Sequence, residues 1–218
     1  MTDKVLGFFS GFPNGFPGHV ANQLREVFVE KNSLVMIASE ISKHKKVDRY
    51  AAQWRGWFED INLPFGAYYV IDGRMEPAQA VRLTEAASCV ILMGGDPDMQ
   101  LRFMCETGLD GAIRNTRAAV LGLSAGAVNM AVRSLHIGES PVPYEGLGLA
   151  DITVHPHFDP KKQRVLKTLL RVSQELPIFA MEDDSAIFVT GDRISSTGEI
   201  HWIHRGEICP FREGVLRL

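Results

Sequence analysis

Four short apolar runs constrain this chain more than any other feature: LVMIAS at residues 34–39, AYYVID at 67–72, CVILMG at 89–94 and AAVLGLS at 118–124. Each is brief and bounded by turn-forming or charged residues, as strands buried on both faces are. Helical patterns lie between them. Val47, Ala51, Trp54, Phe58 and Ile61 recur at three- and four-residue intervals and so share one helix face. EPAQAVRLTEAAS at 76–88 has a proline near its start followed by strong helix formers, the signature of helix initiation. Strands alternating with helices of this length predict an α/β fold with a mostly parallel central sheet and helices on both faces. After Pro177 the short strand-like runs are divided by TGD and STGE, which predicts a C-terminal antiparallel hairpin or meander extending the sheet. No Pro/Ser linker, repeat or low-complexity tract interrupts the chain, so residues 1–218 are read as one α/β domain.

Bulk properties exclude several classes. A hydrophobic content of 45% with 22% charged residues is that of an ordered globular chain. The formal net charge is −3 and the one concentrated basic run is KHKK at 43–46, read as a solvated loop, so no nucleic-acid partner is expected. Cys89, Cys105 and Cys209 form no C-x-x-C pair, which argues against a disulfide framework or zinc site and for three reduced core residues. No run approaches the roughly 18 apolar residues of a membrane span. The N-terminal residues lack the apolar stretch and small-residue cleavage site of a secretory leader, so a cytoplasmic protein with no membrane partner is expected.

The chemistry concentrates at Gly122-Leu123-Ser124-Ala125-Gly126. A strand ending in this sequence and followed at once by AVNMAVRS fits the nucleophile elbow, in which a strained strand-to-helix turn lifts a serine above the sheet edge. The glycines let the turn close, and the N–H of Ala125 is a natural oxyanion donor. Gly94 and Gly95 end the preceding predicted strand. Carboxyl ends of neighbouring parallel strands share an edge, so these glycines are expected to present further N–H groups toward Ser124. A serine needs a base oriented by a third group. In TVHPHFDP at 153–160, an extended backbone would point His155 and His157 to the same face. Glu139, Asp159, Glu182 and Asp183 all compete as the orienting acid, and spacing does not choose among them.

In order along the chain, MGGD, GLSAGA, GLGL with HPHF, and MEDDSAIFV resemble the peptidase E (aspartyl dipeptidase) and cyanophycinase family of serine peptidases, whose fold is related to the class I glutamine amidotransferases. The resemblance implies Ser124 as nucleophile and His157, in PHF, as general base. It also implies Glu139 as the acid, because the family's acid follows its nucleophile by fifteen residues and that interval lands there. The family's aspartate is a glutamate at this position. Where the family often has GGN, this chain has Gly94, Gly95 and Asp96, which puts a negative charge among the substrate-contacting groups. A preference for an acidic residue on the acyl side requires a cation, for which Arg164 is the candidate by its position after His157.

The expected reaction is acyl transfer to water through a Ser124-His157-Glu139 triad, with Gly95 and Ala125 receiving the oxyanion. Small peptides are the expected substrate, no cofactor or metal is implied, and a homodimer is left open. Three rivals stand beside it. A glutamine amidotransferase normally uses a cysteine thiolate where this chain has Ser124. An α/β-hydrolase esterase shares the chain order, but with acid and histidine spread more widely. A regulatory binding protein would keep the fold without turnover.

Overall fold

The computed structural model describes residues 4–136 and 142–211. Its central sheet has seven strands, five of them parallel: β1 (Val5–Phe9), β2 (Ser33–Ile37), β3 (Ala67–Ile71), β4 (Cys89–Leu92) and β5 (Ala119–Leu123), ordered β1-β5-β4-β2-β3. Side chains alternate strictly along these strands. Leu34 and Met36 of β2 join one apolar cluster and Val35 and Ile37 the other, and β4 divides its residues in the same way. Both faces must therefore be covered. Helices α1 (Gly18–Val27) and α2 (His44–Asp60) close one face through Val20, Leu24, Trp54 and Phe58. The other face is closed by α3 (Pro77–Ala86), α4 (Pro97–Thr107), α5 (Leu109–Asn115) and α6 (Ala125–Met130), through residues such as Ala80, Met104, Ile113 and Ala127.

The mostly parallel sheet and both periodic helices match the sequence expectation, and Pro77 is the first residue of α3. Strand β1 is an addition, since VLGFF carries a central glycine and runs into a Gly/Pro-rich segment that masks it. After a hairpin of β6 (Arg133–His136) and β7 (Val142–Glu145), β8 (Val154–His155) and helix α7 (Gln163–Val172) lead into the C-terminal strands. Those strands contain the expected antiparallel hairpin, and they add a second sheet that was not expected. Only β10 (Ala186–Thr190) and β11 (Arg193–Thr197) extend the central sheet, antiparallel beside β1. In contrast, β9 (Ile178–Met181), β12 (Ile200–His204) and β13 (Glu207–Pro210) build a second sheet with β8. The physical reason is that α7 supplies its own apolar face: Leu169, with Val165 and Leu166, packs on Ile178, Ala180 and Ile203, and this needs a separate layer.

Two cysteines also depart from expectation. Cys89 is buried in β4, whereas Cys105 lies on the outer side of α4 and Cys209 on the edge strand β13, both exposed. Among the described residues, no helix is long and apolar enough to cross a membrane.

The close approach of α6 to the sheet sets the height of the β5–α6 turn. A Cβ on Gly126 would lie 2.1 Å from the carbonyl oxygen of Leu92, and one on Gly122 would lie 2.5 Å from the backbone nitrogen of Ala127. Both obstacles are backbone and cannot rotate away. Gly126→Ala is therefore expected to destabilise the protein by at least about 1–3 kcal/mol, the usual range for overpacking. Urea unfolding measures this, and an unchanged midpoint would contradict the close packing.

Candidate active site

Strand β5 ends at Leu123, and Ser124 adopts φ 52° and ψ −111°, a conformation that L-residues rarely hold. The surrounding structure enforces it. The Ser124 N–H donates to the Phe9 carbonyl at 2.9 Å, at the end of the adjacent β1, while α6 begins at the very next residue. The hydroxyl therefore stands at the carboxyl edge of the sheet on a turn that cannot relax. This is the elbow expected from GLSAG.

His157 reaches it from β8. The predicted extended run stops at His155, because His157 has a positive φ of 56°, so the two imidazoles do not share a strand face. His155 is turned inward, where burial, with a smaller contribution from His157, lowers its pKa to about 4. His157 instead faces the cleft, with Nε2 2.8 Å from Ser124 Oγ and Nδ1 2.6 Å from Asp183 Oδ1. A carboxylate only accepts, so Nδ1 carries the proton and donates to Asp183. Nε2 is left as an acceptor, and the Ser124 hydroxyl donates to it. The side chains of His157 and Asp183 are each 50% exposed, so the pair sits at an open mouth.

The first loop of the chain supports this pair. The buried Ser10 hydroxyl accepts the His157 N–H at 2.7 Å and lies 3.0 Å from the Met181 carbonyl and 3.3 Å from Asp183 Oδ1. Asp184 N–H donates to the Gly11 carbonyl at 2.7 Å. A Cβ on Gly11 would lie 2.6 Å from both Asp183 Oδ1 and His157 Cε1, so this position has to be glycine for the two side chains to rest on the backbone. Neither Ser10 nor Gly11 was recognised from sequence. The available signal was SG directly after an apolar run, the same pattern that made MGGD informative.

Gly94 and Gly95 line the cleft beside Ser124. The Gly94 carbonyl accepts from Ser39 Oγ at 2.5 Å, and Gly95 has φ 141°. In a trans peptide the C=O and the following N–H point in opposite directions, so fixing the Gly94 carbonyl on Ser39 turns the Gly95 N–H away from Ser39. Beneath this turn, Asn129 of α6 donates to the Pro97 carbonyl at 2.9 Å and to Gln100 at 3.2 Å, and Gln100 donates to the Met93 carbonyl at 2.9 Å. Ala125 is the first residue of its helix, so its N–H has no carbonyl behind it within α6.

The structure bears on two further site residues expected from sequence, Asp96 and Arg164, and leaves a third undescribed. Asp96 caps α4, accepting from the Met99 N–H at 2.9 Å, and does not line the cleft: its carboxylate serves the helix rather than a substrate. Arg164 is an exposed residue of α7 and is also outside the cleft lining, because α7 covers the second sheet. Glu139 lies outside the described residues. Among the described residues, the lysine or arginine that lines the cleft is Lys46, from the run read as a solvated loop; it belongs to the first turn of α2 and pairs with Glu40. The Glu40 hydrogen bond raises the Lys46 pKa, while bonds from Lys43 and Lys46 lower that of Glu40. Among the described residues, no His/Cys/Asp/Glu cluster is arranged to hold a metal ion.

An in-line hydroxyl, imidazole and carboxylate at the carboxyl edge of an α/β sheet are the groups a serine peptidase requires. The chain belongs to Peptidase family S51, whose model matches residues 16–197, and is thereby a serine-type hydrolase, consistent with the resemblance to peptidase E. Two solved structures share the fold. A peptidase from an acI-B1 Actinobacterium is 16% identical with a TM-score of 0.69, covering 96% of this chain and 98% of its own. A candidate peptidase E of Listeria monocytogenes EGD-e is 18% identical with a TM-score of 0.66, covering 89% of this chain and 98% of its own. No curated protein sequence matches significantly.

His155 makes the fold acid-sensitive. Its pKa is about 4 in the folded chain and about 6.5 when unfolded, so between these values the unfolded state binds more protons. Stability is expected to fall as pH drops from about 6.5 toward about 4, by up to roughly 3 kcal/mol. Urea midpoints across that interval measure the loss, which His155→Gln should reduce. A wild-type stability that stays flat over this range would contradict the assignment.

Proposed function

We propose that this protein hydrolyses small peptides through a Ser124-His157-Asp183 triad, Asp183 taking the role that the family resemblance assigned to Glu139. The observation that carries the proposal is the continuous chain of contacts, 2.8 Å from Ser124 Oγ to His157 Nε2 and 2.6 Å from His157 Nδ1 to Asp183 Oδ1. His157 Nε2 takes the hydroxyl proton as Ser124 Oγ attacks the peptide carbonyl. The resulting imidazolium is held by Asp183, and the tetrahedral oxyanion is received by the N–H groups of Gly95 and Ala125. The imidazolium then protonates the leaving amine. Water, activated by the same nitrogen, cleaves the acyl-enzyme.

The cleft volume of about 380 Å³ supports short peptides, since it lies near the lower end of the range for small-ligand sites. An acidic side chain on the acyl side has little support. Arg164 is outside the cleft lining, and the Lys46 charge is already engaged by Glu40. The free thiols of Cys89, Cys105 and Cys209 suit the reducing cytoplasm proposed for this enzyme.

Ser124→Ala and His157→Ala are each expected to lower kcat for dipeptide hydrolysis by about four to six orders of magnitude, and Asp183→Asn by about four. Wild type, unlike Ser124→Ala, is expected to be labelled by a fluorophosphonate probe. Gly11→Ala displaces the His157–Asp183 pair without removing a reacting group, and a displacement of this kind costs about a hundred-fold in kcat. Near-normal turnover by Ser124→Ala or His157→Ala would remove that residue from the mechanism.

A further inference from the structure

We infer that the wall of the cleft facing Ser124 is a subsite for an aromatic side chain of the substrate, an assignment that rests on the peptidase reading above. The wall is one face of α2 together with the loop after β1. Lys46, Tyr50, Trp54 and Trp57 follow one another at intervals of four, four and three residues, so they project to the same side of the helix, and all four line the cavity that holds Ser124 and His157. Phe12 completes the aromatic surface.

An aromatic cluster on a helix is often only core, and part of this one is. Trp54 and Phe12 are buried at 2% and 4% exposure. Tyr50, however, is 36% exposed and Trp57 is half-buried, so these rings keep free surface on the cavity side. The position of Trp57 is fixed from behind, while the Tyr50 ring carries Lys46 and Arg49 at 5.7 and 5.3 Å from its centroid. The Trp57 ring lies 5.3 Å from that of Trp54 at 64°, 5.6 Å from Phe16 and 6.3 Å from Phe12. Gly15, at φ 91°, brings its backbone against the indole, and a Cβ there would stand 3.1 Å from Trp57 Cδ1. An indole already immobilised loses little entropy when a ring packs on it, and edge-to-face contacts favour a ring over an aliphatic chain of similar area.

The charge on this wall does not offer a better occupant. Lys46 shares Glu40 with Lys43 and lies 5.7 Å from the Tyr50 ring centroid, so its ammonium already has both a carboxylate and an aromatic face. An acidic side chain placed here would have to compete with Glu40 and lay its carboxylate among indoles. An aromatic ring gains contact without displacing a charge.

The test compares Ala-Ala, Ala-Phe, Phe-Ala and Asp-Ala as substrates of the full chain. At least one phenylalanyl dipeptide is expected to exceed Ala-Ala in kcat/KM by about ten- to a hundred-fold, the effect of burying one aromatic side chain, and to exceed Asp-Ala as well. Trp57→Leu and Tyr50→Ala are each expected to shrink that ratio several-fold, chiefly through KM, with thermal melts verifying that both variants are folded. Equal turnover of phenylalanyl and alanyl dipeptides, preference for Asp-Ala, or a ratio unchanged in both folded variants would overturn the subsite. Fluorophosphonate labelling separates the two levels. A labelled Ser124 without aromatic preference overturns the subsite alone, whereas absence of labelling overturns the hydrolase reading. Where none of the dipeptides is hydrolysed, calorimetric titration of the same four decides: tighter binding of a phenylalanyl dipeptide upholds the subsite, and equal affinities overturn it.

Discussion

The structure depends on the placement of one imidazole. His157 lies between a hydroxyl and a carboxylate, and each comes from a different part of the fold: Ser124 from the β5–α6 turn and Asp183 from the loop between β9 and β10. None of these segments can position the ring alone. They meet because β1 lies between β5 and β10 in the sheet and leads directly into Ser10 and Gly11. From there Phe9 anchors the Ser124 backbone, Ser10 the His157 backbone and Gly11 the Asp184 backbone. The carboxyl end of a single strand thus acts as a common reference for all three groups.

That reference also accounts for the strain. Ser124, His157 and Asp184 are all non-glycine residues with positive φ, at 52°, 56° and 62°. Such conformations cost of order 1–3 kcal/mol each and persist only where surrounding contacts determine them. Here each of the three donates its backbone N–H to a residue between Phe9 and Gly11. The bends aim the side chains at 124 and 157 into one cleft, and hydrogen bonds to the β1 end hold them there.

How much of this was legible in sequence follows from how local each signal is. Strands β2 to β5 and helices α2 and α3 were readable, because period-two burial and a three-to-four-residue stripe are properties of short windows. Ser124, Gly94 and Gly95 were readable for the same reason, since each belongs to a strand-end turn complete within a few residues. Strand β1 was not, because Gly7 interrupts its pattern and the glycine- and proline-rich stretch behind it looked like loop. Asp183 stood only as one of four competing acids. Its contact with His157 crosses 26 residues and requires a left-handed bend that an expected extended strand had hidden. The fifteen-residue interval that pointed to Glu139 lands outside the described residues. Lys46 was read from its charged neighbours, although its spacing to Tyr50, Trp54 and Trp57 placed it on a helix face.

The assignment of Asp183 as the partner of the imidazole is tested most directly by proton NMR of the His157 ring. An Nδ1–H donated to a carboxylate at 2.6 Å resonates far downfield, and low temperature slows its exchange with water enough for it to be observed. The signal is expected in wild type and in Glu139→Gln, and is expected to vanish in Asp183→Asn. A downfield proton that survives in Asp183→Asn and is lost in Glu139→Gln would contradict the account.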